Sequence, residues 1–203
     1  SDGARAYQHD GSWVKQFGKE DENPYVTAFW DWWPELSKEI TELRVTGGEA
    51  TISPEFWKLV EWWKNNPDSD IQFAVNSNLG VRDKQLDQII DASKNINNFV
   101  LYTSCEATGR QAEYIRDGLD WDDWKLAVER MLTEGNVKEM NVMMTINSLC
   151  LYSLTEFMDY CNDLKTRYGK FYGVFSVNIL RFPSFMSPGT LPEELRKERA
   201  LHI

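Results

Sequence analysis

Residues 41–48 of this 203-residue chain read TELRVTGG, a short apolar β-type run that ends directly in two glycines. Four similar runs follow along the chain, and the stretches between them have the periodicity of amphipathic helices. Strands that alternate with helices predict βα units and therefore an α/β fold with a parallel sheet, either open or curved into a barrel. The strands are expected at residues 41–46, 71–76, 99–104, 140–147 and 174–181.

The composition is that of a globular protein of about one domain. Hydrophobic residues make up 42% and charged residues 27%, and no apolar run approaches the roughly 20 residues of a membrane helix. The net charge of −10 repels phosphate backbones, so a nucleic acid is not an expected partner. Without a long apolar run, a membrane is not expected either. Residues 1–22 are polar and aperiodic and are expected to form a mobile arm, whereas residues 23–203 are expected to form one domain.

The three cysteines are unevenly spaced and form no CxxC or similar pair, which disfavours a zinc site built mostly of thiolates. Their odd number, together with the lack of a recognisable secretory segment, favours a cytoplasmic protein. Cys161 lies on the apolar stripe of a predicted helix and is expected in the core. Cys105 is the only thiol expected at the carboxyl end of the sheet, and the sequence shows no histidine near it that would activate it.

Ligands of parallel α/β sheets bind beyond the carboxyl ends of the strands, so the residues that follow each predicted strand are candidates for a site. Gly47 and Gly48 allow a ligand to approach the backbone, and the carboxylate of Glu49 can accept hydrogen bonds from an ammonium group. The alternative for these three residues is a tight strand-to-helix turn with an exposed glutamate. Asn76 and the residues after it are equally consistent with an ordinary turn.

The connection after the third predicted strand, residues 104–121 (SCEATGRQAEYIRDGLDW), contains a hydroxyl, carboxylates and two arginines. Arg116 in this connection can bind a ligand carboxylate through two parallel hydrogen bonds. The alternative is a surface ion pair of Arg116 with Glu113 or Asp117, which is the default for an isolated arginine. The residues alone leave both interpretations open.

Taken in order, the strand ends make the chain resemble the radical S-adenosylmethionine (SAM) enzymes, and among them those with a twitch-type auxiliary-cluster domain. LRVTGGE at residues 43–49 is the most specific piece, and the match extends over about residues 23–196. The other matching pieces are NPYVTAFWDWWPEL (23–36), VNSNLG (75–80), EYIRDGLDW (113–121), INSLCLYSL (146–154) and NILRFPSFMSPGTLPEELR (178–196).

This resemblance implies a partial TIM-like (β/α)6 barrel, with a curved parallel sheet, that binds SAM and a 4Fe–4S cluster at the carboxyl ends of its strands. Gly47, Gly48 and Glu49 match the motif that holds the methionyl amino group of SAM. Ser104 and Arg116 match residues that family members aim at the carboxylate or ribose. The other expected SAM contacts are Glu106, Asn76, Asn147 and Leu180.

The resemblance also implies an activity for the parent protein, as an oxidoreductase or a transferase. With an external electron donor, the cluster would cleave SAM reductively to a 5′-deoxyadenosyl radical. That radical would abstract hydrogen from a small-molecule or peptide substrate, which the sequence does not identify. The substrate site would be shaped by loops and by the auxiliary domain.

The chain departs from the family at one point, because it has no CxxxCxxC loop and therefore contains no ligands for the cluster. It also has five predicted strands where the family has six, and the missing strand is the first. These departures predict an internal fragment that is inactive alone, with an uncovered apolar sheet edge that promotes aggregation. The alternative is a degenerate homologue that serves as a non-catalytic ligand-binding or protein-binding α/β domain.

Overall fold

The computed structural model describes residues 23–80 and 83–201. The expected mobile arm, residues 1–22, lies outside the described residues. The chain divides into two compact units, Ser1–Ile40 and Thr41–Ile203, and all the candidate site residues belong to the second.

The described part of the first unit contains helix α1, Pro24–Leu36. The Asn23 side chain accepts a hydrogen bond from the Tyr25 amide over 3.0 Å, so Asn23 caps a helix that has proline at its first position. A proline inside a helix removes one backbone hydrogen bond, and Pro34 stands in the last turn of α1. The helix ends at Leu36, two residues after this proline.

The second unit is built on a five-stranded sheet in which all neighbouring strands are parallel, which confirms the predicted α/β arrangement. The strands lie in the sheet in the order in which they occur in the chain. The last two begin at residues 137 and 171, earlier than predicted, because charged residues or a glycine interrupt each apolar run near its start. The strands are β1 Glu42–Val45, β2 Gln72–Asn76, β3 Phe99–Ser104, β4 Val137–Ile146 and β5 Phe171–Ile179.

Two of the helices in this unit begin at residue types that favour the N-cap position. Ser53 accepts a hydrogen bond from the Glu55 amide over 3.3 Å, and Asp120 accepts one from the Asp122 amide over 2.9 Å. None of the described helices has the length and apolar character needed to cross a lipid bilayer. The helices are α2 Pro54–Asn65, α3 Asp83–Ser93, α4 Gly109–Ile115, α5 Trp121–Glu134, α6 Leu154–Arg167 and α7 Glu193–Ala200.

Ser153 and Glu156 have the spacing of a capping box at the start of α6, but they do not form one. The Ser153 hydroxyl instead accepts a hydrogen bond from the Thr108 backbone amide over 3.1 Å. The Glu156 carboxylate accepts one from the Thr108 hydroxyl over 2.9 Å. Thr108, a residue distant in the chain, thus replaces the local capping partners. Ser153 and Glu156 both hydrogen-bond the connection after β3 to the start of α6.

Helices α2 and α5 contact the same face of the sheet. Trp63 of α2 stacks on Phe73 of β2 with ring centroids 4.4 Å apart, and Trp124 of α5 donates a hydrogen bond to the Thr103 hydroxyl of β3. The sequential strand order also differs from that of doubly wound sheets, in which the order reverses at a switch point. This arrangement is compatible with an open segment of an α/β barrel.

The opposite face of the sheet carries polar side chains that contact one another. Arg44 donates a hydrogen bond to the Tyr102 hydroxyl over 3.1 Å, and its guanidinium lies 4.5 Å from the centre of that ring. The Asn76 amide lies 3.2 Å from the sulfur of Met143. The sheet therefore separates an aromatic core on one face from hydrogen-bonding groups on the other.

The two edges of the sheet differ in charge. β1 presents Glu42 and Arg44, which form an ion pair over 3.0 Å, so the edge that was expected to be apolar carries charged side chains. Exposed apolar side chains lie instead on β5, where Val177 is 56% and Ile179 is 63% exposed. Charged side chains hinder pairing between sheet edges, so we expect the edge at β5, rather than the edge at β1, to promote aggregation.

Candidate functional site

The connections after β1 and β2 are joined by the side chain of Glu49. One carboxylate oxygen, Oε1, accepts hydrogen bonds from the Thr51 hydroxyl over 2.8 Å and from the Thr51 amide over 3.4 Å. Through the bond to the amide, Glu49 caps the short 3-10 helix Ala50–Ile52. The other oxygen, Oε2, accepts one from the backbone amide of Asn78 over 3.0 Å. Gly47 has a φ of 102°, which glycine adopts at no steric cost. The GGE segment is therefore a loop bound to its neighbour, and its glutamate is half-buried.

Arg116, at the end of α4, pairs with Glu106 rather than with a residue beside it. Its Nη2 group donates a hydrogen bond to Oε2 of Glu106, a residue that is only 3% exposed. The Arg116 side chain is 26% exposed. Glu113, one of its expected local partners, accepts a hydrogen bond from the Trp121 amide over 3.2 Å. The surface ion pair is thus replaced by a largely buried one.

A cavity of about 450 Å³ lies beside this ion pair, which is within the range of small-molecule sites. Arg116 and Asp117 both border it and carry opposite charges. The Nε atom of Arg116 is buried and has no hydrogen-bond partner among the residues that the structure describes. The cavity is lined by Asn78, Gly80, Ile115, Arg116, Asp117, Gly118 and Leu119.

Two of the predicted site residues lie at the ends of β2 and β3 and do not line this cavity. Asn76 directs its amide nitrogen to the sulfur of Met143, and its Oδ1 atom is buried without a partner in the described part of the chain. Ser104 is half-buried and stands in register with Met143. Both therefore belong to the polar face of the sheet.

The predicted site residues after β4 and β5 form hydrogen bonds within their own turn or with the neighbouring strand. Oδ1 of Asn147 accepts hydrogen bonds from the amides of Leu149 and Cys150, over 2.9 and 3.1 Å. The Leu180 amide donates to the Ile146 carbonyl over 2.8 Å and so extends the pairing of β4 with β5. Neither Asn147 nor Leu180 borders the cavity beside Arg116.

The three cysteines are free and buried. Burial raises the pKa of Cys105 to about 11 and that of Cys161 to about 12, and it also raises the pKa of Cys150. The thiolate is the form that acts as a nucleophile or binds a metal, so buried neutral thiols serve neither role well. Across residues 23–80 and 83–201, no group of three or more His, Cys, Asp or Glu side chains is arranged to hold a metal ion.

Asn78 belongs to the site, although the sequence places it only in the turn after β2 and not among the expected SAM contacts. Its backbone amide binds Glu49, and its own Oδ1 accepts a hydrogen bond from the Gly80 amide over 2.9 Å. An asparagine two residues before a glycine is a recognisable signal of a turn in which the side chain holds the backbone. That signal does not tell which neighbouring loop will receive the amide of the turn.

A comparison with models of known protein families finds none that matches this chain. A comparison with curated proteins likewise finds no match. The geometry at the carboxyl ends of the strands is therefore what bears on function.

Proposed function

We propose that this chain is the SAM-binding part of a radical SAM enzyme, with its sheet curved into a partial (β/α)6 barrel. In this proposal SAM binds where the connections after β1, β2 and β3 meet. The observation that carries it is that Asn78 both binds Glu49 and lines the cavity at Arg116. The methionyl group of SAM carries an ammonium and a carboxylate on one carbon, so it requires an acceptor and donors close together.

The charged residues of the site have counterparts in such a ligand. Glu49 would accept hydrogen bonds from the ammonium group. Arg116 lines the cavity with a side chain that is 26% exposed, and it would donate to the carboxylate through N–H groups other than the buried Nε. Gly47 and Gly48 have no heavy atom within 4 Å of the position of an added Cβ, which leaves space beside Glu49. These residues fit the amino-acid part of SAM, which supplies an activated sulfonium carbon when bound.

The fold supports the same location. The strands follow one another in sequence order, as they do in α/β barrels, and barrel enzymes bind their ligands at the carboxyl ends of the strands. Glu49, Glu106 and Arg116 all lie in connections that leave those ends. A ligand site at this edge of the sheet is therefore the arrangement that the topology favours.

A 4Fe–4S cluster does not fit the residues of this chain. Its three cysteines are buried and form no CxxxCxxC motif, so under the proposal the cluster ligands come from residues outside this sequence. The buried, protonated thiols also favour a second candidate function. In that candidate the chain is an α/β domain that binds a small ligand without catalysing a reaction.

Calorimetric titration of SAM into the purified chain tests the proposal. The informative variant is Arg116→Lys, because lysine cannot donate two parallel hydrogen bonds to a carboxylate. Arg110→Lys is the matched control, since Arg110 is an exposed arginine in the same connection. We expect wild type and Arg110→Lys to bind SAM equally, and Arg116→Lys to bind about tenfold more weakly.

A wild-type chain that binds no SAM would refute the proposal and leave the second candidate. Equal affinities in all three proteins would remove Arg116 from the site. Circular dichroism of each variant establishes that a lost affinity does not reflect a lost fold.

A further inference from the structure

Glu106 is a buried carboxylate whose charge is balanced by one residue. It is 3% exposed, and its cation partner in the described part of the chain is Arg116. A carboxylate so removed from water is costly unless it is paired and hydrogen-bonded. The ion pair is therefore a permanent feature of the fold rather than an occasional surface contact.

Arg116 keeps donors that Glu106 does not use. Glu106 receives a hydrogen bond from Nη2, whereas Nε is buried and has no partner among the described residues. A guanidinium carries five N–H groups in a fixed planar fork, so holding one of them fixes the direction of the others. Arg116 also lines the cavity with a side chain that is 26% exposed, so its N–H groups other than the buried Nε are the ones a ligand there can reach.

The segment that carries Glu106 is itself held in place. The Cys105 thiol donates a hydrogen bond to the Ala107 carbonyl over 3.3 Å. Thr108 is bound through its amide and its hydroxyl to Ser153 and Glu156 at the start of α6. Glu106 is therefore held in place, and its hydrogen bond to Arg116 defines the position of that long side chain.

We propose that Glu106 is a positioning residue, which orients the Arg116 guanidinium so that its free N–H groups receive the carboxylate of an amino-acid-type ligand in the cavity. This inference rests on the proposed function, in which that carboxylate is the methionyl carboxylate of SAM. The opposite arrangement is that Glu106 occupies the place of the ligand carboxylate and competes with it. The two arrangements predict opposite changes in carboxylate selectivity when Glu106 is altered.

The selectivity is measured with two probes, SAM and decarboxylated SAM, which differ only in the carboxylate. The readout is the ratio of their dissociation constants for each protein. Glu106→Ala releases the guanidinium, and Glu106→Asp keeps the charge but shortens the side chain by one methylene group. Glu113→Ala is the matched control, because it removes a carboxylate from the same connection that does not contact Arg116.

We expect wild type and Glu113→Ala to prefer SAM by about tenfold or more, as hydrogen bonds to a charged group allow. In Glu106→Ala the ratio of the two dissociation constants falls towards one, mainly because SAM binds more weakly. In Glu106→Asp the preference for SAM falls by about threefold or more. Glu106→Asp keeps the inference testable if Glu106→Ala does not fold.

Two outcomes overturn the inference. A higher preference for SAM in Glu106→Ala shows competition, and equal losses of both affinities show a purely structural role. Failure of the inference is distinguishable from failure of the proposed function. A wild-type chain that binds neither probe refutes the function, whereas one that binds both equally refutes only the role of the Arg116 donors.

Discussion

The two halves of the carboxyl edge of the sheet use their polar residues differently. After β1, β2 and β3, charged side chains reach from one part of the chain to another, as Glu49 does to Asn78 and Arg116 to Glu106. After β4, the side chain of Asn147 is hydrogen-bonded within its own turn. The first half thus places the Arg116 guanidinium beside a cavity, whereas the asparagine after β4 serves its own turn.

The hydrogen bonds of a polar residue at a strand end indicate whether it can bind a ligand. Asn147 and Asn76 are the same residue type at equivalent places in the sequence, yet Asn147 satisfies two amides of its turn while Asn76 retains a buried, unpartnered oxygen. A polar side chain whose hydrogen bonds all lie within its own loop stabilises that loop. One that bridges loops, or retains an unpartnered atom, is a better candidate for binding.

Removing Arg116 is expected to have the largest effect on stability. Arg116→Ala leaves Glu106 buried without its cation, and we expect the free energy of unfolding to fall by about 3 kcal/mol. Urea denaturation followed by circular dichroism measures the loss. Adding Glu106→Gln should restore about 1–2 kcal/mol, because a neutral amide costs less to bury than a carboxylate. A single variant as stable as wild type would contradict the importance of the ion pair.

Alkaline pH is expected to affect the two halves differently, because Cys105 lies in the first half and Cys150 in the second, both buried. The pKa of Cys105 is raised to about 11 from 9.0 by burial, so the folded state holds this proton more tightly than the unfolded state. Stability is therefore fully present below pH 9 and falls as the pH rises towards 11, by about 2–3 kcal/mol from this group.

The measurement is the slope of the unfolding free energy against pH in the alkaline range, compared between Cys105→Ala and Cys150→Ala. Burial also raises the pKa of Cys150, in the second half, but by less than the shift at Cys105. The slope should decrease more in Cys105→Ala than in Cys150→Ala. Identical slopes in wild type and Cys105→Ala would show that this thiol does not titrate differently in the two states.

A smaller effect is expected from Asn147. Asn147→Ala leaves the amides of Leu149 and Cys150 without their acceptor in a buried turn, which should cost about 1–2 kcal/mol of stability. Thermal unfolding followed by circular dichroism measures that cost. If the variant instead keeps wild-type stability, the turn does not depend on this side chain.

Features that depend on nearby residues could be predicted from the sequence. The five parallel strands and the caps at Asn23, Ser53 and Asp120 follow from apolar periodicity and from side chains that bond to their own helix. Ser153 has the same local signal, but its hydroxyl binds Thr108, which is 45 residues away in the chain. Spacing along a sequence does not reveal such competition.

The ion pair of Arg116 with Glu106 could not be predicted from the sequence for the same reason. Arg116 has two acidic residues within three positions, and local spacing favours them as partners. The burial of Glu106 at the end of β3 makes it the partner that most needs a cation, and burial follows from the tertiary fold. The identity of Glu49, Glu106 and Arg116 as candidates was predictable, and their contacts were not.

The most direct test of the account compares the SAM affinity of Glu49→Gln with that of Asn147→Ala, each measured by calorimetry beside wild type. Glutamine keeps the shape of Glu49 but removes the negative charge that would bind an ammonium group, so SAM should bind about tenfold more weakly. Asn147→Ala should bind SAM within about twofold of wild type, because its polar groups serve only its own turn. Unchanged affinity in Glu49→Gln, or an equal loss in Asn147→Ala, would contradict a SAM site in the first half of the edge.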